Sequence, residues 1–213
     1  MAKIKTNKNG PYIVENLETL ENSKGKPIPK GGFVALCRCG KSSTKPFCDG
    51  THIKINFTDE KADDRVPDKM DDYVGKNITI HDNRGVCAHR GHCTTLSPNV
   101  FRIDWAKEGK DRWIDPDGED VEKIIKTINI CPSGALSYTK DGVLHKNLNH
   151  KSKIIVSKDG PYDIEGELEY EDDDGNKPES KEHYTLCRCG ASKNKPFCNG
   201  QHWHIKFRDD KND

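Results

Sequence analysis

A cluster of three cysteines and one histidine occurs twice in this chain at a fixed distance. The stretch 37-CRCGKSSTKPFCDGTH-52 returns as 187-CRCGASKNKPFCNGQH-202, which places Cys187 150 positions after Cys37. The same offset relates Tyr12 to Tyr162, and the alignment needs no gap from about residue 8 to 57. A repeat of this kind predicts two copies of one structural module. The two copies flank an insert that follows a different pattern.

The composition predicts small units that need more than an apolar core. Of the 213 residues, 32% are hydrophobic, 33% are charged and nine are cysteines. Small modules with weak cores usually depend on metals or disulfides. The N-terminal sequence has no apolar run that resembles a signal peptide, so we expect a cytoplasmic protein. In that compartment clustered cysteines bind metal or carry out redox chemistry more often than they form disulfides.

Charge and hydropathy also limit the expected partners. The formal net charge is zero, which argues against a general nucleic-acid or membrane-surface binder. No stretch is long and apolar enough to span a bilayer. The acidic run 169-EYEDDDGNKPESK-181 is predicted to be a solvated loop inside the second module.

Each module is predicted to be rich in β-structure. The apolar segment 33–36 leads into the first cysteine and is bounded by turn-forming residues. After the histidine, Ile53, Ile55 and Phe57 alternate with polar residues, as do their counterparts in the second copy, Trp203, Ile205 and Phe207. This alternation predicts a half-buried strand at the end of each module.

The insert is predicted to be a separate α+β unit. Ile78 and Ile80 alternate with polar residues and indicate a strand that leads to Cys87. Within 117–132, apolar residues recur at helical spacing, and Pro132 ends the pattern. The stripe consists of Val121, Ile124, Ile125 and Ile128. The helix is therefore expected to deliver Cys131 at its end.

The repeated cluster has the composition of a metal site. Its spacing is C-x-C-x8-C-x3-H, and the candidate ligands are Cys37, Cys39, Cys48 and His52 in the first module and Cys187, Cys189, Cys198 and His202 in the second. Three thiolates and an imidazole suit tetrahedral zinc, so a structural zinc site is one interpretation. Zinc modules usually pair their ligands as C-x2–4-C, whereas a tighter C-x-C pair suits one iron of a two-iron cluster. Imidazole in place of thiolate occurs in Rieske iron–sulfur centres.

The full motif resembles the signature of the CDGSH iron–sulfur family, C-x-C-x2-[ST]-x3-P-x-C-D-G-[ST]-H. The first copy matches it with Ser42, Pro46 and 48-CDGTH-52, and the second with Ser192, Pro196 and 198-CNGQH-202. The second copy departs from the pattern at Asn199 and Gln201, although all four ligand types remain. The resemblance covers both modules and implies one 2Fe–2S cluster in each. Two cysteines would bind the inner iron, and a cysteine with a histidine the outer iron.

The insert resembles a divergent mono-cluster ferredoxin that holds a 4Fe–4S cluster. Cys87 and Cys93 form a loop of the type C-x-H-x-G-x-C, and Cys131-Pro132 follows much later. His89 is the predicted fourth ligand. The fourth site is alternatively open, which would give a 3Fe–4S cluster.

The predicted fold class is α+β, with two β-rich modules as a pseudo-two-fold pair and an inserted ferredoxin-like domain. The expected division is 1–57 (first module), 58–72 (charged linker), 73–140 (insert), 141–153 (linker), 154–208 (second module) and 209–213 (tail). The predicted function is intracellular electron transfer by a monomer, with a redox protein as partner. The alternatives are storage and delivery of clusters to an apo-acceptor protein, and a zinc-stabilised interaction protein. No catalytic constellation is present in the pattern, so an enzyme is not predicted.

Overall fold

The computed structural model describes residues 1–103 and 113–210, and the fold is mixed, with small sheets and few helices. The strands are β1 (Lys3–Thr6), β2 (Tyr12–Glu15), β3 (Thr19–Asn22), β4 (Phe33–Leu36), β5 (Met70–Val74), β6 (Thr79–Asn83), β7 (Leu136–Lys140), β8 (Val143–His145), β9 (Lys153–Val156), β10 (Tyr162–Glu165), β11 (Glu169–Asp172) and β12 (His183–Leu186). The helices are α1 (Thr51–Lys54), α2 (His92–Leu96), α3 (Val121–Asn129) and α4 (Gln201–His204), and a short 3-10 turn spans Arg84–Val86.

The two modules exchange one strand each. The strand orders are β11-β1-β2-β4 and β12-β10-β9-β3, so β11 lies beside the first module's β1 and β3 lies beside the second module's β9. Both exchanged strands pair in parallel, with Ile4 opposite Tyr170 and Leu20 opposite Ile154. Each sheet is therefore completed by a strand from the other copy of the repeat.

Part of the predicted acidic loop is one of these exchanged strands. Glu169–Asp172 forms β11 because its backbone pairs with β1 and its carboxylates meet lysines of the first module. Lys3 Nζ lies 2.5 Å from Glu171 Oε1, and Lys5 Nζ lies 3.6 Å from Asp173 Oδ1. The expectation of a loop throughout 169–181 was wrong for residues 169–172. Their acidic side chains suggest solvent exposure, but Glu171 pairs with a lysine of the first module.

The two modules share one apolar core. Its deeply buried members include Ile4, Tyr12, Val14, Leu36, Ile154, Tyr162, Ile164 and Leu186. The rings of Tyr12 and Tyr162 meet edge to face with centroids 6.0 Å apart. The Tyr12 hydroxyl lies 2.9 Å from the carbonyl oxygen of Cys187, and the Tyr162 hydroxyl lies 2.9 Å from that of Cys37. Each tyrosine thus supports the cysteine loop of the opposite module.

The insert contains a four-stranded sheet, β5-β6-β7-β8, and the predicted amphipathic helix. Helix α3 is confirmed: Ile124 and Ile128 are buried. The Asp120 carboxylate accepts hydrogen bonds from the backbone N–H groups of Glu122 and Lys123, which caps the first turn. Cys131 follows the end of this helix, and the predicted strand at Ile80 is β6.

The predicted strand after each histidine was wrong. The chain instead forms the short helices α1 and α4, and Ile53 and Trp203 are 71% and 55% exposed. Gly50 and Gly200, with φ of 83° and 81°, turn the chain directly into these helices.

Candidate metal centres

The structure brings the predicted ligands of each module together as pairs. Cys37 Sγ and Cys39 Sγ lie 3.8 Å apart, and Cys48 Sγ lies 3.3 Å from His52 Nδ1. In the second module the corresponding distances are 3.8 Å for Cys187–Cys189 and 3.4 Å for Cys198–His202. Within residues 1–103 and 113–210, no three or more His, Cys, Asp or Glu side chains converge closely enough to hold a single metal ion.

A tight turn before α1 brings Cys48 and His52 together. Cys48 precedes the helix, and Gly50, with φ of 83°, turns the chain so that His52 in α1 faces back onto the cysteine sulfur. Gly50 N–H also donates to Cys48 Sγ at 3.5 Å. The same contacts recur around Cys198 in the second module.

The two C-R-C-G loops touch each other through their backbones. A Cβ atom on Gly40 would lie 2.4 Å from the carbonyl oxygen of Cys189, and one on Gly190 would lie 2.4 Å from that of Cys39. Both glycines also have positive φ, 75° and 81°. Only glycine fits these positions, and the contact brings the inner cysteines of the two modules close together.

A buried arginine lies between the two cysteines of each loop. Arg38 Nη1 lies 2.7 Å from Asp59 Oδ2, with both side chains 2% exposed. Arg188 pairs in the same way with Asp209, which is also buried, within the segment predicted as a tail. Sequence analysis missed these pairs, although Asp59 and Asp209 keep the 150-residue offset and extend the repeat by two positions.

The thiol pairs are suited to hold negative charge. In each C-x-C pair the sulfur–sulfur hydrogen bond lowers the pKa of one thiol, at Cys39 and at Cys187, and raises that of its partner, so each pair holds one negative charge. Burial raises the pKa of Cys48 and Cys198, which carry no such partner. A bound iron ion favours the thiolate and reverses the effect of burial.

The histidine of the second module has an unsatisfied ring nitrogen. His202 is 2% exposed, and its Nε2 has no hydrogen-bond partner in the described parts of the chain. Burial lowers the pKa of His202 to about 4, which keeps the ring neutral and able to bind metal. This donor set of paired thiols and a neutral imidazole fits a two-iron cluster.

The insert covers the ligand loop of the second module. The His89 ring rests on Gly200, where an added Cβ would lie 2.3 Å from His89 Cδ2. Arg90 Nη2 lies 3.1 Å from Ser157 Oγ and 3.5 Å from Asp163 Oδ2.

Polar contacts extend this covered interface. Asn194 Nδ2 donates to the carbonyl of Gly85 at 2.8 Å, and Lys193 pairs with Asp64. The first module differs: no described atom lies within 4 Å of a Cβ placed on Gly50.

The three cysteines of the insert line one cavity of about 250 Å³. Cys87 follows the 3-10 turn, Cys93 lies in α2 and Cys131 follows α3. Burial raises the pKa of Cys87 to about 12 and that of Cys93 to about 11. Other members of the wall include Asp82, Arg84, His89, His92 and Trp113. Three clustered thiols in a cavity of this size fit a cubane iron–sulfur cluster.

Asp82 is a member of this wall that sequence analysis did not identify. Its side chain is buried, and Trp113 Nε1 donates to Asp82 Oδ2 at 3.1 Å. Burial raises the pKa of Asp82 to about 6. No signal in the sequence distinguishes it, because it stands five positions before Cys87 on an ordinary strand.

Family models match all three units. The model for the iron-binding zinc finger of CDGSH type matches residues 9–53 and 159–203. The model for the divergent 4Fe-4S mono-cluster matches residues 73–141. This chain is a tandem CDGSH protein with an inserted divergent 4Fe-4S mono-cluster domain. Both kinds of domain bind iron–sulfur clusters, so the chain is an iron–sulfur protein.

Two similar proteins share one name. The uncharacterized protein YjdI of Escherichia coli strain K12 is 36% identical over 66 residues, which is 31% of this tandem CDGSH chain and 80% of YjdI. YjdI of Escherichia coli O157:H7 matches with the same identity and coverage. No solved structure matches. Among the helices in the described parts of the chain, none has the length and apolar character needed to cross a membrane.

Proposed function

We propose that this chain holds three iron–sulfur clusters and transfers electrons between protein partners. The observation that carries the proposal is the arrangement of ligands: two matched sets of paired side chains, and a separate cavity with three cysteines. Each module would hold a 2Fe–2S cluster, and the insert a 4Fe–4S cluster. When bound, such clusters accept and donate single electrons.

The pairing of ligands supports two irons in each module. Cys37 and Cys39 would bind one iron, and Cys48 with His52 the other; the second module uses Cys187 and Cys189, then Cys198 and His202. The pair distances of 3.3–3.8 Å suit two ligands on one tetrahedral metal ion. A zinc-stabilised interaction protein is the alternative from another class, and it requires a colourless protein.

In the insert, Cys87, Cys93 and Cys131 would bind three irons. His89, the predicted fourth ligand, lies on the cavity wall, but its ring also packs on Gly200 of the second module. If no side chain occupies the fourth position, the site would hold a 3Fe–4S cluster instead.

We further infer that the two modules form a pseudo-two-fold pair within one monomer. The reciprocal strand exchange, the reciprocal tyrosine contacts and the matched glycine contacts support this arrangement. The contact between Gly40 and Cys189 brings the inner ligands of both modules near each other, as electron exchange between them requires.

Cluster delivery to an apo-acceptor is the second candidate, and one observation favours it for the first module only. Cys48 and His52 are half-buried, whereas Cys198 and His202 are buried. An acceptor protein therefore has access to one ligand pair of the first module. An iron bound by histidine and easily released would suit cluster delivery, and the same ligand would also be compatible with electron transfer.

Iron and acid-labile sulfide should be measured on anaerobically purified protein, with EPR before and after dithionite reduction. We expect about eight irons per chain and the signals of both cluster types. About four irons would restrict the proposal to the two modules, and zinc in place of iron would overturn it. Mixing the loaded protein with an apo-ferredoxin separates the two functions: reversible reduction without loss of cluster supports electron transfer, and passage of cluster supports delivery.

A further inference from the structure

The three cysteines of the insert leave the fourth iron of a cubane cluster without a thiolate. We propose that Asp82 is the fourth protein ligand of this cluster, and that His89 serves instead to join the insert to the second module. The inference rests on the proposed cluster in the insert and goes beyond it, because neither the family pattern nor the spacing of the motif singles out Asp82.

The position of Asp82 places it in the wall of the cysteine cavity. It lies on β6, opposite Asp71 of β5 and Leu136 of β7, and it is 1% exposed. The same cavity is lined by Cys87, Cys93 and Cys131.

The hydrogen bonds of Asp82 leave one carboxylate oxygen unused. Oδ2 accepts from Trp113 Nε1 at 3.1 Å and lies 3.9 Å from Arg84 Nε. Oδ1 is buried and has no hydrogen-bond partner within the ranges that the structure describes. A buried carboxylate oxygen without a donor is costly, and ligation of a metal ion satisfies it.

The surroundings of Asp82 would be unfavourable without a cation. Three thiols share the cavity with this carboxylate, and in their metal-binding form all four groups are anionic. Arg84 offsets part of this charge, since its Nη1 lies 3.6 Å from Cys87 Sγ. Iron provides the remaining positive charge, and a carboxylate oxygen is an accepted though harder ligand for it.

The geometry of His89 explains why it is the weaker candidate. Its backbone has φ of 53°, in the left-handed region, and its ring rests against Gly200. The side chain is exposed outside this contact. His89 therefore already has a position that depends on the second module, whereas Asp82 is fixed within the insert's own sheet.

The test compares Asp82→Asn, His89→Ala and the control Asp71→Asn in the full-length, anaerobically loaded protein. Asp82→Asn keeps the size of the side chain and an oxygen for Trp113, but it removes the anionic ligand. We expect it to lose about one iron per chain and to show the EPR signal of a three-iron cluster in the oxidised state. His89→Ala and Asp71→Asn should keep the wild-type iron content and the four-iron signal. Asp71 is the matched control because it faces Asp82 across the sheet without lining the cavity.

A second variant covers the case in which Asp82→Asn does not fold. Asp82→Cys supplies a thiolate at the same place and should retain four irons, with an altered four-iron EPR signal and a lower reduction potential. An unchanged EPR spectrum in both Asp82 variants, or a three-iron signal in His89→Ala alone, would overturn the assignment of Asp82 and leave the proposed function intact. Absence of any third cluster from the unmodified protein would overturn both.

Discussion

The two modules carry the same four predicted ligand types at matching distances, yet these side chains differ in their exposure to solvent. Cys198 and His202 are 2% exposed, whereas Cys48 and His52 are half-buried. The difference does not arise within the motif. It arises from the insert, which packs on the second loop through His89 and Arg90.

Substitutions outside the motif determine which module the insert covers. The partners of the insert in the second module are Ser157, Asp163 and Asn194, and the equivalent positions in the first are Asn7, Ile13 and Thr44. Ile13 cannot pair with Arg90, so the first module lacks the acidic partner for this contact. The neighbours of the two repeated candidate metal sites thus differ, while the predicted ligand types remain the same.

The largest effect is expected from Gly200→Ala, compared with Gly50→Ala. Both glycines have positive φ, so each substitution should cost about 1–2 kcal/mol of folding free energy. At Gly200 the new Cβ also meets the His89 ring, which should add about 1–3 kcal/mol. The measurement is the midpoint of thermal unfolding of the loaded proteins. Equal decreases in the unfolding midpoint of the two variants would show that His89 of the insert does not pack against Gly200.

Next in size is the difference in cluster release from the unmodified protein. With an iron chelator, the first module should lose its cluster at least about tenfold faster than the second, because release from the second requires the insert contact to open at a cost of about 1.4 kcal/mol or more. Loss of the 2Fe–2S EPR signal over time measures this. Cys48→Ser should remove the fast phase and Cys198→Ser the slow one; a single phase in the unmodified protein would contradict the comparison.

A smaller effect is expected from Arg90→Ala. The variant removes contacts to Ser157 and Asp163, which contribute about 1 kcal/mol for this partly exposed side chain, equivalent to about fivefold. It should speed chelation of the second cluster several-fold and leave the first unchanged. Arg208→Ala is the control, because Arg208 pairs with Asp159 on the surface of the same module. Acceleration of both clusters alike would point to general destabilisation instead.

The smallest effect is expected from Asp49→Asn, which gives the first loop the residue of the second. Asp49 Oδ2 accepts from Ser43 N–H at 2.8 Å, and Oδ1 accepts from Thr51 N–H at 3.0 Å. Hydrogen bonds from the Thr51 side chain and from Ser43 hold the pKa of the Asp49 carboxyl well below its usual range. Asparagine keeps one of the two acceptor oxygens and loses the charge on this exposed side chain, so release from the first module should rise by no more than about threefold. A rise of more than tenfold would show that the Asp49 carboxylate, and not the insert, mainly determines the difference in cluster release between the two modules.

The sequence predicts ligands better than it predicts their surroundings. Spacing and motif predict eight ligands in the modules and three cysteine ligands in the insert, and the structure places the side chains of each predicted module pair together. The strand expected at Ile53 and Ile55 is absent because the positive-φ residue Gly50 turns the chain directly into a short helix. Three apolar residues that alternate with polar ones constrain the backbone less than a tight turn that brings two side chains together.

Features that depend on distant residues have no local signal. The partners of Arg90 and the carboxylate Asp82 follow from how the insert folds and packs, and no motif contains them. The acidic segment 169–172 is polar enough to be a loop, and its strand character comes from pairing with β1, more than 160 residues earlier. By contrast, Asp59 and Asp209 follow the 150-residue offset of the repeat, and Asp59 lies two positions beyond the gapless segment 8–57.

The strand exchange also orders the maturation of the protein during synthesis. The first sheet takes its edge strand from residues 169–172, and the loop at Cys37 is supported by Tyr162. A ribosome therefore releases the ligands of the first module long before the segments that complete its sheet. Contacts of such long sequence separation slow folding. The first module is thus expected to gain its metal together with the second, after the second module has been synthesised.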